Sequence, residues 1–286
     1  MTARPPLDVA KLRRDLLAPS GPLARLDVVE SAPSTSTALV DAAGRSRADW
    51  PTPAVLVAET QTAGRGRAGR SWETPPRAAL TASALLRPAI PDTALGWLPL
   101  LAGIAVARTV RDAGADPRLK WPNDVLVPSD SEIEGFGPYR KIAGILAEVV
   151  PGVALAVPRA VVVGVGLNVT QAREELPVPS ATSLALEGAA TDRTALLARL
   201  VLELTGVVER FQDAGGDVVA PGLAAEYADL SATLGTRVRA ELAAGGGVVE
   251  GLAVGLGGDG ALVVATPDGE RTVHAGDVHH LRAAAR

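Results

Sequence analysis

The chain has 286 residues, 47% apolar and 21% charged, which is enough to bury a sizeable core and too apolar for intrinsic disorder. A net charge of −4 argues against a protein whose main work is coating nucleic acid or an acidic membrane, because such work needs surplus Lys and Arg to release counterions; any basic site must be local. Without cysteine, disulfides, thiolate-held zinc and thiol nucleophiles are excluded, so chemistry must run through oxygen, nitrogen or a bound activating group.

The amino terminus, Met1 to Leu17, lacks the continuous apolar segment of a secretory signal, so a cytoplasmic protein is expected. Val9, Leu12 and Leu16 share one side of a helix expected over 8–17, closed by Pro19, Gly21 and Pro22. A short strand over 26–29 follows. Ser34, Thr35 or Ser36 then caps a helix running to about Arg47, and Trp50-Pro51-Thr52-Pro53 breaks it. Strands over 54–58 and 80–86 flank a loop rich in Gly and Arg. The longest apolar stretch, Leu95 to Ala107, falls short of the about 20 residues that a membrane span needs. It reads as part of a buried helix over 98–113, ended by Gly114. Runs of β-branched residues over 118–121, 124–127, 142–150 and 153–165 complete a mixed sheet with helices on one face, followed by helices over 195–211 and 222–230. Beyond Thr236, short strands over 238–242, 247–256, 261–265 and 271–274, parted by Gly-Gly and Pro-Asp-Gly turns, read as a small β-barrel. The expectation is an α+β chain of two domains, residues 1–232 and 233–286.

Gly64 to Arg70 holds three arginines and three glycines in seven positions, with Gln61 before and Trp72 after. Glycine brings main-chain amides close to a ligand and Arg offers a planar fork for carboxylate or phosphate, so the loop suits a small polyanion. Mutual repulsion and glycine entropy predict a lid that is mobile when empty and orders around its anion. The spacing fits neither a Walker loop nor a dinucleotide fingerprint; a solvated loop or an RNA-binding tract are the bland alternatives. Lys120-Trp121-Pro122-Asn123-Asp124 forms a rigid polar corner, or else an exposed turn. Asp124 suits either Mg²⁺ or the proton of an attacking amine, and Asn123 suits a phosphate. Lys141 enters an apolar strand whose Gly144 admits a ligand against the backbone; alone, it reads as an edge charge. Gly164-Val165-Gly166-Leu167-Asn168 ends another strand as a pocket wall or a turn. His274, His279 and His280 lack metal-ligand spacing and read as structural or surface residues.

In this order the four motifs resemble those of the biotin protein ligases: Gly64 to Trp72 for Gly-Arg-Gly-Arg-x-Gly-Arg-x-Trp, Lys120 to Asp124 for Lys-Trp-Pro-Asn-Asp, Lys141 to Leu146 for Lys-x-x-Gly-Ile-Leu, and Gly164 to Asn168 for Gly-x-Gly-x-Asn. The likeness runs from Ser31 to Arg282. It implies a catalytic domain similar to class II aminoacyl-tRNA synthetases, an SH3-like carboxy-terminal barrel, and formation of biotinyl-5′-AMP from biotin and ATP with Mg²⁺. Transfer to a lysine of a biotin carboxyl carrier domain would follow, with no prosthetic group, DNA or membrane involved. By resemblance Ser34, Thr35, Ser36, Gln61, Gly64, Arg65, Arg67, Lys141 and Gly144 bind biotin, and Arg67, Arg70, Trp72, Lys120, Asn123 and Asn168 bind the nucleotide. Lys141 bridges carboxylate and phosphate, Arg67 acts in the same acyl-phosphate region, and Asp124 steers or deprotonates the acceptor amine, with a metal as its second role. Ser36 stands where many relatives have Asn, and Ala68 where Arg is frequent. The stretch 128–140 is longer than the usual connection, and its role is open. The about 25 residues before Leu26 are too few for a winged-helix domain, so a ligase without repressor function is expected. The rivals are a lipoate or octanoate transferase and a non-catalytic adenylate sensor.

Overall fold

The computed structural model describes residues 4–151, 158–242, 246–274 and 276–280. Two sheets organise them. The first has seven strands: β1 (Arg25–Ala32), β2 (Ala54–Gln61), β3 (Ala79–Leu86), β4 (Arg118–Lys120), β5 (Asp124–Ile133), β6 (Gly137–Val149) and β7 (Val161–Asn168), in the order β1-β2-β3-β7-β6-β5-β4. Only β1 and β2 pair in parallel; the other pairs are antiparallel. Part of the expected strand over 153–165 lies outside the described residues.

Five helices accompany it: α1 (Val9–Leu16), α2 (Thr35–Arg45), α3 (Leu98–Asp112), α4 (Arg193–Asp213) and α5 (Leu223–Leu230). Three of their starts follow capping chemistry: Asp8, Ser34 and Asp192 each accept a main-chain N–H from the first turn. Strand alternation divides the sheet between two cores. Val55 and Val57 face the larger one, with Leu101 and Ile104 of α3 and Leu197 and Leu204 of α4. Ala54 and Leu56 face the smaller one, where Leu39 and Ala43 of α2 meet Trp50. The large helices therefore share one face, as expected, and among the described helices α2 covers the other. By length and composition 92–112 is apolar enough to cross a membrane. In the fold its helical core is α3, packed between the sheet, α4 and α5.

The second sheet comprises β8 (Arg237–Leu242), β9 (Val248–Leu256), β10 (Leu262–Thr266), β11 (Gly269–Val273) and β12 (Gly276–His280), in the antiparallel order β11-β10-β9-β8-β12. The pattern reading stops before β12, whose Gly-Asp-Val-His-His has a single β-branched residue. Two fully buried tryptophans join the sheets: the Trp97 indole N–H donates to the Gly257 carbonyl at 3.1 Å and that of Trp121 to Gly260 at 3.0 Å. Gly96 lies so close to this seam that a Cβ there would stand 2.1 Å from the Asp259 carbonyl oxygen. His280 completes the seam, its Nε2 3.1 Å from the Thr233 hydroxyl. Burial, followed by the nearby Lys120 cation, pushes the His280 pKa down to about 4.

The amino-terminal arm is fixed by a buried ion pair. Arg193 Nη1 lies 2.7 Å from Glu59 Oε2; the other Glu59 oxygen accepts the Leu7 N–H at 2.6 Å, and Arg193 Nη2 donates to the Pro5 carbonyl at 2.6 Å. Arg193→Leu leaves the Glu59 carboxylate buried alone and is expected to cost about 3–5 kcal/mol in urea unfolding, while Glu59→Leu/Arg193→Leu loses much less. For His280 the unfolded chain binds a proton near pH 6.5, above the folded value, so stability falls as pH drops through that window. Between about pH 7.5 and pH 5 the wild type should lose roughly 2 kcal/mol more than His280→Gln, read from paired thermal melts.

Candidate active site

The principal cleft opens where the carboxy-terminal ends of β2 and β7, the middle of β6 and the start of β5 meet β12. Its lining runs from Ser34, Thr35, Ser36 and Gln61 through Lys141, Asp124 and Asn123 to Arg67, Arg70, Lys120, Phe136 and Asp277. One end is polar and uncharged. Gln61 Oε1 accepts from the Thr35 main-chain N–H (2.8 Å) and hydroxyl (3.1 Å). Behind them Ser83 donates to the Thr35 hydroxyl at 2.8 Å and lies 3.0 Å from the Ser36 hydroxyl. The start of α2 thus presents buried hydroxyls and main-chain amides to a neutral polar group.

Lys141 reaches the centre of the cleft through a register break. Val125 pairs with Ala143 and Leu126 with Lys141, so Ile142 is an extra residue in β6. Residues 141 and 144 would face opposite sides of a regular strand. The bulge instead brings the Lys141 Cε and Nζ to within 3.2 Å of where a Gly144 Cβ would be. There Nζ meets Asp124 Oδ1 at 2.6 Å. Asn123, locked to Ile145 by bonds of 2.9 Å in both directions, holds the corner, and its Oδ1 accepts from Arg67 at 3.5 Å.

The Arg/Gly loop, expected to be mobile when empty, closes on itself: Trp72 N–H donates to the Gly64 carbonyl at 2.8 Å and Gly66 N–H to that of Arg70 at 2.7 Å, around a turn in which Ala68 has φ of +53°. A Cβ on Gly64 would stand 2.3 Å from the Trp72 carbonyl oxygen. The indole of Trp72 lies flat on a floor of glycines, and a Cβ on Gly166 would stand 2.5 Å from its Cε2. Its Nε1 is buried without an acceptor among the described residues. Lys141 Nζ stands 5.8 Å from the ring centroid.

The arginines take different partners. Arg65 lies 3.2 Å from both Glu148 and the Thr37 hydroxyl, and Arg70 pairs with Asp277 of β12. Arg67 is half-buried. Desolvation draws its pKa below the ordinary value, with Asp277 and Asp124 opposing that and Arg70 adding to it. Lys120 is only 7% exposed, and its ammonium donates to the Val278 carbonyl. Burial likewise lowers its pKa, with Asp124 and Asp277 opposing. Of the residues singled out in the sequence, Gly64 and Asn168 stand apart from the lining: Gly64 is buried under the loop closure with Trp72, and Asn168 Nδ2 donates to the Thr182 carbonyl (2.9 Å) while its Oδ1 accepts from Gln171 (2.8 Å), so its amide braces the wall behind the lining. Ser83, Glu148, Phe136 and Asp277 escaped the sequence reading. None sits in a motif, although the Gly-Asp pair at 276–277 was within reach.

The model described as the biotin/lipoate A/B protein ligase family matches residues 28–168, and that described as the biotin protein ligase C terminal domain matches 233–281. A biotin–[acetyl-CoA-carboxylase] ligase of Mycobacterium tuberculosis is 44% identical over 285 residues, covering 98% of this chain and 97% of the relative. A bifunctional ligase/repressor of Bacillus subtilis is 30% identical over 233 residues, covering 80% of this chain and 66% of that protein. Among solved structures, the biotin protein ligase of Aquifex aeolicus in complex with biotin and ATP matches with a TM-score of 0.68 at 26% identity, covering 91% of this chain and 99% of that one.

The glycine floor is testable without any ligand. Gly166→Ala should lift the Trp72 ring off the sheet and red-shift tryptophan emission. The same substitution in a Trp72→Phe background should leave the spectrum unchanged, and equal shifts in both backgrounds would refute the stacking.

Proposed function

The chain belongs to the biotin/lipoate A/B protein ligase family, and we infer that within it the chain is an ATP-dependent biotin protein ligase. In this reading residues 1–232 form the catalytic domain and 233–286 an SH3-like barrel, and the enzyme works in the cytoplasm. It activates biotin as biotinyl-5′-AMP and passes the biotinyl group to a lysine of a biotin carboxyl carrier domain. The observation that carries the site assignment is the position of Lys141: the bulge at Ile142 sets its ammonium between an uncharged hydroxyl pocket and a group of cations.

The ureido ring, neutral and rich in hydrogen-bonding groups, fits Ser34, Thr35, Ser36 and Gln61. Its valerate carboxylate then extends past Gly64 and Gly144 toward Lys141 and Arg67. The ATP triphosphate takes the cationic end, with Arg67, Arg70 and Lys120 as counter-charges, Asn123 as an orienting amide and Trp72 over the reacting groups; Asn168 acts from behind the wall. Two anions must meet, so neutralising their charge is the main catalytic task. A carboxylate oxygen attacks the α-phosphorus, the bond to the bridging oxygen breaks, and pyrophosphate leaves. As Lys141 turns to the phosphate it releases Asp124, which accepts a proton from the acceptor amine as that nitrogen attacks the acyl carbon and AMP departs. Arg65, held by Glu148, borders the entrance beside Thr37.

Mg²⁺ is read here as the counter-ion that accompanies the triphosphate. The fit to a protein-held metal is poor: among the described residues no three His, Asp or Glu side chains gather to ligate an ion, and Asp124 is engaged by Lys141.

Calorimetry with biotin, lipoate and ATP, followed by mass analysis of a carrier domain, tests the assignment. Biotin binding and a carrier mass gain of one biotinyl group are expected. Lipoate binding without biotin binding, or adenylate formation without transfer, would overturn it. Lys141→Ala should lower biotin-dependent ATP–pyrophosphate exchange by about 10²–10³-fold, as expected for losing one group that stabilises charge in the transition state, with an unchanged melting profile.

A further inference from the structure

The connection over 128–140, whose role the sequence left open, is a long hairpin that reaches from the first sheet to the second. Pairing of β5 with β6 passes Pro128–Tyr139, shifts register, and resumes at Ile133–Gly137. At the tip Gly135, with φ of +74°, accepts the His280 N–H from β12 at 3.3 Å, and a Cβ on it would stand 2.8 Å from His279 Nδ1. The tip is thereby clasped by the edge of the second sheet. The next residue, Phe136, turns its half-buried ring into the cleft wall, and Lys120 Nζ stands 5.0 Å from the ring centroid.

Lys120 needs such a neighbour. Its ammonium is nearly buried, and its one hydrogen-bond partner among the described residues is the uncharged Val278 carbonyl; none of the described carboxylates lies within ion-pairing distance. The facing charges are mixed: Asp124 of β5 and Asp277 of β12 favour the cation, whereas Lys141 of β6 and Arg70 of the loop oppose it. His280 of β12 stays neutral near pH 7 and adds no positive charge. An aromatic face within about 6 Å of an ammonium attracts it, more strongly when both are desolvated.

We propose that Phe136 is a positioning residue for adenylate formation, its ring holding the Lys120 ammonium charged and aimed into the cleft to receive the ATP triphosphate. The inference rests on the reading of Lys120 as a triphosphate-facing cation. The long hairpin is then the strut that carries this ring from the catalytic sheet to the edge of the carboxy-terminal one.

The test is steady-state kinetics of pyrophosphate release across pH with Phe136→Leu, Phe136→Trp and Lys120→Met. Leu keeps apolar bulk and loses the ring face; Trp keeps the face. Phe136→Leu should raise KM for ATP about threefold to tenfold, the size of one cation–π contact. KM for biotin, and kcat at saturating ATP, should stay within about twofold on the same reasoning. Because losing the ring weakens the charged form of Lys120, the alkaline limb of kcat/KM for ATP should move to lower pH, and Phe136→Trp should restore both readouts. A Phe136→Leu enzyme with unchanged KM for ATP and an unchanged pH profile overturns the proposal. If Lys120→Met raises KM for ATP while Phe136→Leu does not, the inference alone fails. If Lys120→Met leaves KM for ATP untouched, the placement of the triphosphate falls and takes the inference with it. Should Lys120→Met not fold, the pH profile of Phe136→Leu decides by itself.

Discussion

Mutual repulsion among Arg67, Arg70, Lys120 and Lys141 is the constraint around which the cleft is built. A chain of net negative charge has gathered these four cations, with Arg65 beside them, at one opening, and like charges held together in a partly desolvated site repel one another. Two carboxylates moderate that cost from opposite sides: Asp124 against Lys141, and Asp277 against Arg70. Each comes from a different sheet. The ligand-free charge balance of the cleft thus depends on the docking of the carboxy-terminal sheet, which is held at a seam of buried tryptophans bonded to main-chain carbonyls.

The remaining positive charge is held in place by main-chain geometry. A surface lysine would relieve repulsion by swinging into water. Lys141 is instead set by a bulge between two paired strands, and Lys120 leaves the end of β4 directly before the buried Trp121. The glycines at 144 and 166 serve the same end by letting Trp72 lie on the sheet, which carries the Arg/Gly loop down over the cations. A cleft so prepared has partly desolvated Arg67, Lys120 and Lys141 before any anion arrives, while Arg70 stays exposed, and part of the reorganisation that water would otherwise demand during the reaction is already complete.

Much of this was legible in the sequence. Residues that carry charge or glycine at fixed spacing announce themselves, so the loop at 64–72, the corner at 120–124 and Lys141 were all found, and the first two helix starts followed from Asp8 and the Ser34–Ser36 cap, whereas the Asp192 cap of α4 was passed over for a start at Ala195. What stayed hidden depends on pairing partners. The bulge at Ile142 exists only in register with β5, so nothing in Lys141-Ile142-Ala143-Gly144 reveals that residues 141 and 144 share a face. The hairpin beyond Val127 is polar and exposed, held by main-chain bonds and the clasp of β12, so its pattern did not read as strand and Phe136 looked unremarkable. Asn168 erred the other way: its motif advertises a binding amide, but Thr182 and Gln171 engage both of its ends.

The opposite end of the cleft carries the selectivity that the proposed function requires of so cationic a site. Thr35, Ser36, Ser83 and Gln61 form a chain of hydrogen bonds that is already satisfied internally. A ligand that breaks into this chain must offer donors and acceptors of its own in exchange, since a buried hydroxyl it left unpaired would cost about 1–3 kcal/mol. A fatty-acid chain ending in carboxylate satisfies the cations and leaves this end unmatched; a free nucleotide does the same. A molecule with a neutral, hydrogen-bonding head and an anionic tail satisfies both. Under the proposed function, selection resides in the uncharged end and reactivity in the charged one, and the distance between the α2 terminus and Lys141 sets how long the spacer between head and carboxylate must be.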